Sequence, residues 1–526
     1  MLLTRFALAL VTACLLSATS SALFAQTNST VDEELRSEIR ELRQKLERLE
    51  QKLEQQQSQS PAATSPAAPP SAVKSAEPAN AAKAPEPAAR EQAMQNQIDE
   101  LSQQVKTLGQ KQDTAKAPAR KASAPADPYA RPGIVLTSPD SDVQVSFRTL
   151  LQIDYRDYVE QPPQPPGSPV DTFLVRRARP ILEGTAYEKF GFRIMGDWGN
   201  TQNPSSGNPQ LYDAYIDANL DRQFKIRVGK FKPPLGLERL QSPADLLFVE
   251  RAFPTNLVPN RDIGLQVSGD VLNRTLTYAL GVFDGAVDNT SVGSGDNNNG
   301  KDVDARLFAH PFRNTDLKGL RGLGFGIAYA TGNQIGTAAS SNLPTYVTPG
   351  QQNFFTYNAG AFANGERVTW APQLYYSVGP FGVLAEYTAT KQTATRSTNT
   401  QSVSNNAWQI ALSWVLTGED ASFQGVIPSH NFNFSSGQWG SFELVGRLSR
   451  LTLDSDVYLG SAATRLANPT TQPGKATDYG IGIGWDLNRN IRIMFDYDQT
   501  KFQGGAANGA DRPDEKVIIT RFQYSL

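Results

Sequence analysis

Three arginines stand within four positions at Arg176-Arg177-Ala178-Arg179, and a second basic run follows at Lys225, Arg227, Lys230 and Lys232. Guanidinium groups offer planar, multi-donor edges that match the oxygens of phosphate and carboxylate. Such residues make and break no covalent bonds; their chemistry is to attract, hold and release anions. Residues for nucleophilic or metal chemistry are sparse: two histidines, His310 and His430, and one cysteine, Cys14, among 526 residues. They form no nucleophile–base constellation, and nothing in the sequence calls for a cofactor or a metal. A formal net charge of −2 gives no bulk affinity for nucleic acid.

The elements that must carry these arginines are strands. From Val143 onward apolar and polar residues alternate in segments of about ten residues, the length a tilted strand needs to cross a bilayer. Sixteen such segments are expected, the first near 143–156 and the last near 515–526. Every second connection is mostly short, as at Tyr187–Lys189, Asn273–Arg274 and Gly379–Pro380. The others are long and rich in Gly, Asn, Pro and Ser. Short turns on one side and long loops on the other predict an all-β fold, a 16-stranded antiparallel transmembrane β-barrel with its turns in the periplasm. Gly418–Gln438 breaks the pattern by being long on the turn side. Mean hydropathy is only −0.40, because lumen-facing polar residues dilute the lipid-facing ones. Trp408, Ile410, Leu412 and Trp414, like Tyr479, Ile481, Ile483 and Trp485, are expected on the lipid side.

Parity then sorts the charges, since a lipid-facing arginine near the midplane costs about 2–4 kcal/mol. Lys225 and Arg227 face inward opposite to Phe224, Ile226 and Val228. Arg148, Arg193, Arg447, Arg492 and Arg521 are inward by the same rule and suggest a lumen ladder. With Leu174 and Leu182 outward, Arg177 and Arg179 point in. Arg176 then conflicts with alternation, which a bulge or an interfacial position would resolve. These cations have nearby acids to pair with, among them Asp154, Glu183, Asp213 and Asp217. The connection after Arg227 holds Leu246, Leu247, Phe248, Val249, Phe253 and Leu257, too many apolar residues for a loop in water. It is expected to fold into the barrel and form a constriction, carrying Lys230, Lys232, Arg239, Arg251 and Arg261 against Glu238, Asp245 and Glu250.

The chain ahead of the barrel has another texture. Met1 to about Ala25 has a positive start, an apolar core and small residues, as in a signal peptide. A rival reading takes Val11-Thr12-Ala13-Cys14 as a lipoprotein cleavage box. Leu35, Ile39, Leu42, Leu46, Leu49 and Leu53 make an a/d seam, so 31–57 is expected to be a periplasmic coiled coil, with a second short one over 91–112. Ala/Pro-rich linkers over 58–90 and 113–142 separate them from each other and from the barrel at 143–526.

Several of these segments together resemble the phosphate-selective porin O/P family. They are Arg176-Arg177-Ala178-Arg179, the run Val228-Gly229-Lys230-Phe231-Lys232-Pro233-Pro234-Leu235-Gly236-Leu237-Glu238, Glu250-Arg251, Arg261-Asp262-Ile263-Gly264, and Gly437-Gln438-Trp439 with Phe442-Glu443-Leu444-Val445-Gly446-Arg447. The resemblance implies a homotrimer of barrels in the outer membrane among lipopolysaccharide, with an inward-folded third loop, an arginine ladder and a basic constriction. Arg176 and Arg177 match the family's arginine pair, and Lys230 and Lys232 lie in the segment leading into its third loop. Departures are the final Leu526, where an aromatic residue is usual, Arg179 beside the pair, and the coiled-coil extension. The expected function is passive diffusion of small anions such as phosphate or polyphosphate. Two alternatives stand beside it: a general or organic-acid porin, and a barrel tethered to the cell wall or a periplasmic partner through the coiled coil.

Overall fold

The structure is a computed structural model that describes residues 41–45, 47–52, 55, 87–116, 131, 133–159, 170–199, 209–293 and 299–526. The expected signal peptide, Cys14, most of the first linker, half of the second and much of the first coiled coil lie outside them. Helix α1 (Pro87–Lys116) covers the second heptad run. It belongs to a unit ending at Asp127, separate from the unit of Pro128–Leu526.

In the second unit, β1 (Ile134–Thr137) pairs with the first residues of β2 (Val143–Tyr158). Then follow β3 (Thr172–Ala186), β4 (Phe190–Asp197), β5 (Gln210–Asp221), β6 (Phe224–Phe231), β7 (Asp262–Val271), β8 (Leu276–Phe283), β9 (Asp302–Ala309) and β10 (Gly324–Ile335). A small hairpin, β11 (Tyr346–Val347) and β12 (Asn353–Phe355), sits in the next loop. The wall resumes with β13 (Ala361–Val378), β14 (Phe381–Arg396), β15 (Asn399–Val415), β16 (Ser441–Thr452), β17 (Pro473–Asp486), β18 (Ile491–Gly504) and β19 (Glu515–Ser525). Each strand from β2 to β10 and β13 to β19 pairs antiparallel with the next, and β19 closes on β2 from Val517↔Tyr158 to Ser525↔Leu150. The result is a closed 16-stranded barrel, as the alternation predicts.

Period-two burial makes the wall two-faced. Ile410, Leu412 and Trp414 are exposed, whereas Gln409, Ala411 and Ser413 are buried. β14 and β15 run on to a tight turn at Ser397–Thr398, with Ser397 at a positive φ of 56°. The long segment on the turn side, around Gly418–Gln438, folds back on the barrel. Ala421 and Val426 pack on Val415, and Phe423 stacks on Tyr375 at 5.0 Å.

Register shifts interrupt the alternation at several points of the wall, and two of them, both bulges, bear on the arginines. On β3, Gln152 pairs with Arg177 and Ile153 with Val175, so Arg176 is the extra residue. On β5, Met195 pairs with Asp213 and Gly196 with Leu211, so Tyr212 is extra. A bulge turns an additional side chain to one face and flips the parity beyond it. Hence Arg176 joins Arg177 inside, and Phe173 and Val175 take the exposed face. Leu174, expected outward from simple alternation, is half-buried instead.

The third loop, residues 232–261, folds into the barrel. Leu235 and Val258 pack on Ala328, Ala330 and Ala371. Leu237 packs on Phe308, Leu384 and Ala411. Val249 meets Tyr158, Met494, Val517 and Ile519, while Phe253 and Leu257 join Tyr346 and Phe354 in a larger apolar cluster. Full burial of each such side chain is worth about 1.5–3 kcal/mol, which explains why a loop carries them. The glycines alternating along β17 give the loop room. A Cβ on Gly480 would stand 2.6 Å from Asp498 Oδ1 and 2.9 Å from the Phe248 ring, and one on Gly484 2.5 Å from Arg492 Nη2.

Ile481→Arg, on the exposed face of the same strand, is expected to cost about 2–4 kcal/mol in urea unfolding from liposomes.

Candidate functional site

The loop is fixed by charge as well as by apolar packing. Arg492 Nη1 donates to the Leu246 carbonyl at 2.9 Å, Arg521 Nη1 to the Val249 carbonyl, and Arg447 Nη1 to the Glu250 carbonyl at 2.7 Å. Each of these arginines is also paired with acids: Arg492 with Glu443 and Asp486, Arg521 with Asp154 and Glu250, Arg447 with Asp498 and Asp478. All three are almost fully buried. The expected ladder therefore divides. Arg447, Arg492 and Arg521 point inward but are covered by the third loop, because its backbone carbonyls and the neighbouring carboxylates satisfy them there. They are anchors and do not face a passage.

Glu250 is the joint of this assembly. Its carboxylate receives Arg176 Nε and Nη2, Arg177 Nη2 at 3.4 Å, Arg156 Nη2 at 3.2 Å and Arg521 Nη2 at 3.1 Å. Burial pushes the carboxyl up, but these four arginines outweigh it and hold it well below the usual carboxylate range. With Asp154 added, four guanidinium groups face two carboxylates, leaving an excess of positive charge.

Two cavities remain beside the loop. One, about 410 Å³, is lined by six arginines (Arg176, Arg177, Arg179, Arg239, Arg251 and Arg261) and a single carboxylate, Glu250. The other, about 440 Å³, is lined by Arg148, Arg179, Arg193, Arg227, Lys232, Arg261 and Arg306, with Asp213 as its one acid. Arg179 and Arg261 line both cavities and so mark the neck between them. Their Cζ atoms lie 4.5 Å and 4.7 Å from the Tyr212 ring centroid, a pair of cation–π contacts on one ring. Arg179 Nε donates to Asp197 at 2.7 Å and Arg261 Nε to Asp213 at 3.1 Å. The acids thus fix the orientation of each guanidinium from its Nε edge.

Several cations are held by neutral oxygens. Lys232 Nζ donates to the carbonyls of Leu240 and Gln241 at 3.2 and 2.8 Å. Arg251 donates to the carbonyls of Glu238 and Gln241 at 3.0 and 2.8 Å. Arg239 donates to the Thr255 carbonyl and to Asn289 and Asn260, and Arg306 to Gln373 at 2.9 Å. Neutral acceptors satisfy hydrogen bonds without cancelling charge. Burial pulls Lys232 well below the ordinary lysine value, and Arg261 and Arg251 push in the same direction.

Of the cations that line the second cavity, Arg148 and Arg193 share Glu183 at 2.9 and 2.8 Å, and Arg227 makes a bidentate pair with Asp217 at 2.7 and 2.8 Å; both acids lie outside the cavity's lining. Two lysines fall elsewhere. Lys225 lies nearer the turn end of β6 and lines neither cavity. Lys230 has the parity of Ile226 and Val228, and its Nζ is taken by the carbonyls of Val292 and Gly293 at 2.6 and 3.1 Å; it too lines neither cavity. Tyr212, Arg156 and Arg306 were not singled out from sequence. Parity places Arg156 two residues beyond Asp154 and Arg306 opposite to Leu307, but Tyr212 is a bulge residue that no alternation marks.

A closed barrel with an inward loop and a guanidinium-walled passage defines a channel of the porin class. The chain belongs to the phosphate-selective porin O and P family, which it matches over residues 143–526, and so is an outer-membrane channel protein. No curated protein sequence matches the chain. Similar solved structures include the outer membrane channel DcaP of Acinetobacter baumannii, at 12% identity and TM-score 0.47, covering 74% of this chain and 99% of that one. An anion-selective porin from Comamonas acidovorans has 11% identity and TM-score 0.46, covering 73% and 100%. OmpT of Vibrio cholerae has 8% identity and TM-score 0.45, covering 75% and 100%.

Arg521→Ala leaves Asp154 and Glu250 short of a buried partner and frees the Val249 carbonyl. A loss of about 3–5 kcal/mol is expected in equilibrium unfolding, together with noisier open-channel current.

Proposed function

We propose that this porin favours anions over cations and passes phosphate, polyphosphate or related small anions by diffusion. The observation that carries this reading is the lining of the first cavity, six arginines to one carboxylate. An anion arriving there meets guanidinium edges on β3 and on the third loop, then Arg179 and Arg261 at the neck, then a second basic cavity. Passage needs binding strong enough to admit the ion and weak enough to release it, and successive partial sites supply that. The charges held by carbonyls contribute most to the field, since no acid offsets them directly. As the family resemblance implies, we take the assembled form to be a homotrimer. The heptad segments ahead of the barrel are proposed to self-associate in the periplasm.

Reversal potentials in a salt gradient test the selectivity: a cation preference would refute it. Arg179→Glu combined with Arg261→Glu should reverse or abolish the preference, whereas Lys230→Glu should leave it nearly intact. Micromolar-to-millimolar phosphate should inhibit the chloride current; a general anion porin would show no such block.

The second cavity, which Lys232 lines, also has a pH dependence of definite sign. Arginines keep their charge over the accessible range, while a lysine with a lowered pKa loses its proton at lower pH than usual. Anion preference should therefore fall as pH rises, and Lys232→Arg should flatten that profile. An unchanged profile in the variant would remove Lys232 from the constriction.

A further inference from the structure

The segment just ahead of the barrel reaches the constriction loop. β19 ends in reciprocal hydrogen bonds between Leu526 and Thr149, at 2.9 and 3.3 Å. β1 takes up the same edge of β2 two residues further on, where Ile134 pairs with Phe147. Gly133, at a φ of 67°, turns the chain there, since a Cβ would collide with the Phe147 carbonyl and lie 2.7 Å from Arg148 Cγ. That turn delivers Arg131 to the interior side of the seam. Its Nε donates to the Arg489 carbonyl at 3.0 Å in the β17–β18 turn, and its Nη1 to Asp245 Oδ1 at 2.6 Å on the third loop.

From Asp245 the contacts continue without a gap. Gln241 Nε2 donates to the Asp245 carbonyl at 2.8 Å and to the Phe423 carbonyl of the folded-back turn at 2.7 Å. The Gln241 carbonyl accepts both Lys232 Nζ and Arg251 Nη2, each at 2.8 Å. Two periplasm-side segments, one before β1 and one between β15 and β16, thus meet on Asp245 and Gln241, and the Gln241 carbonyl holds two constriction cations. The wall's arginine anchors, at Leu246, Val249 and Glu250, lie beyond this stretch, within which Gln152 and Gln523 of the wall donate to the Pro243 and Ala244 carbonyls at 3.0 and 2.9 Å; Arg131 adds the charged contact at Asp245.

We propose that Arg131 is a positioning residue for the pore: by clamping Asp245 to the barrel's turn end, it fixes where Lys232 and Arg251 sit at the constriction. The selectivity half of the proposal rests on the anion reading above; the steadiness of the open channel does not. The pair stands outside the β19–β2 pairing that closes the barrel, so its loss is expected to loosen the loop and leave the wall's own pairing in place. Single-channel recordings on the full chain test this. Arg131→Ala should raise open-channel noise and lower the anion-to-cation permeability ratio by about two-fold or more, the scale of coupling through such a contact path. Arg131→Lys should keep most of both properties. Arg131→Asp combined with Asp245→Arg should restore them relative to either single change, with the melting temperature of the barrel unmoved throughout. Parent-like noise in Arg131→Ala would overturn the proposal. So would a loss of melting temperature that tracks the electrical change and that the charge swap fails to rescue, because the role would then be stability alone. A parent channel without anion preference would defeat the function proposed above but leave the noise comparison decisive here.

Discussion

The join between Glu250 and the barrel wall is the interaction on which the rest of the pore depends. Four guanidinium groups, from β2, β3 and β19, converge on this one carboxylate; Arg156 and Arg521 also share Asp154, whereas Arg176 and Arg177 have no other acid among the described residues and would be charges stranded in a low-dielectric interior without it. A loop bearing an acid at this point can cross the lumen and stay there. Once it does, the lumen is divided. On one side lie apolar clusters and a buried layer of paired acids and arginines that grip the loop. On the other side lie two cavities whose charges are mostly of one sign.

The same side-chain type therefore serves two ends, and the partners decide which. Arg447 and Arg492 face carboxylates and peptide carbonyls on every accessible edge and hold the loop. Arg179 and Arg261 are gripped by an acid at Nε, with Tyr212 supporting their flat faces; Arg261 Nη1 also donates to the neutral Asn260, so no second acid among the described residues cancels either charge at the cavities both residues line. The rigidity of a guanidinium makes this division of edges workable; an ammonium has no fixed second edge to offer.

Much of this was legible in sequence. Strand number, closure and the inward third loop follow from alternation, loop length and the apolar residues of 246–257, because each reflects a solvent that either face must match. Direction in or out was also legible for Arg148, Arg193, Arg227 and Arg521. What was not legible was depth. Parity says that Arg521 and Arg148 share a face, yet only the loop's path tells that one is covered and the other open. Bulges are hidden for a related reason. Arg176 showed itself because an arginine cannot face lipid, whereas Tyr212 could have faced either way without conflict. Lys230 misled because it sits in a basic run, while the nearby carbonyls that capture it come from a loop sixty residues away in sequence.

The alternating glycines of β17 bear on how such a pore changes over evolutionary time. The loop's Phe248 rests in the hollow left by the side chain that Gly480 does not have, and the space at Gly484 admits the Arg492 guanidinium that holds the loop at Leu246. Adding one methyl group there pushes the loop from behind toward the opposite wall and narrows the bore. The pore's calibre can thus drift through positions that no permeating ion ever meets, and a comparison restricted to pore-lining residues would miss the cause.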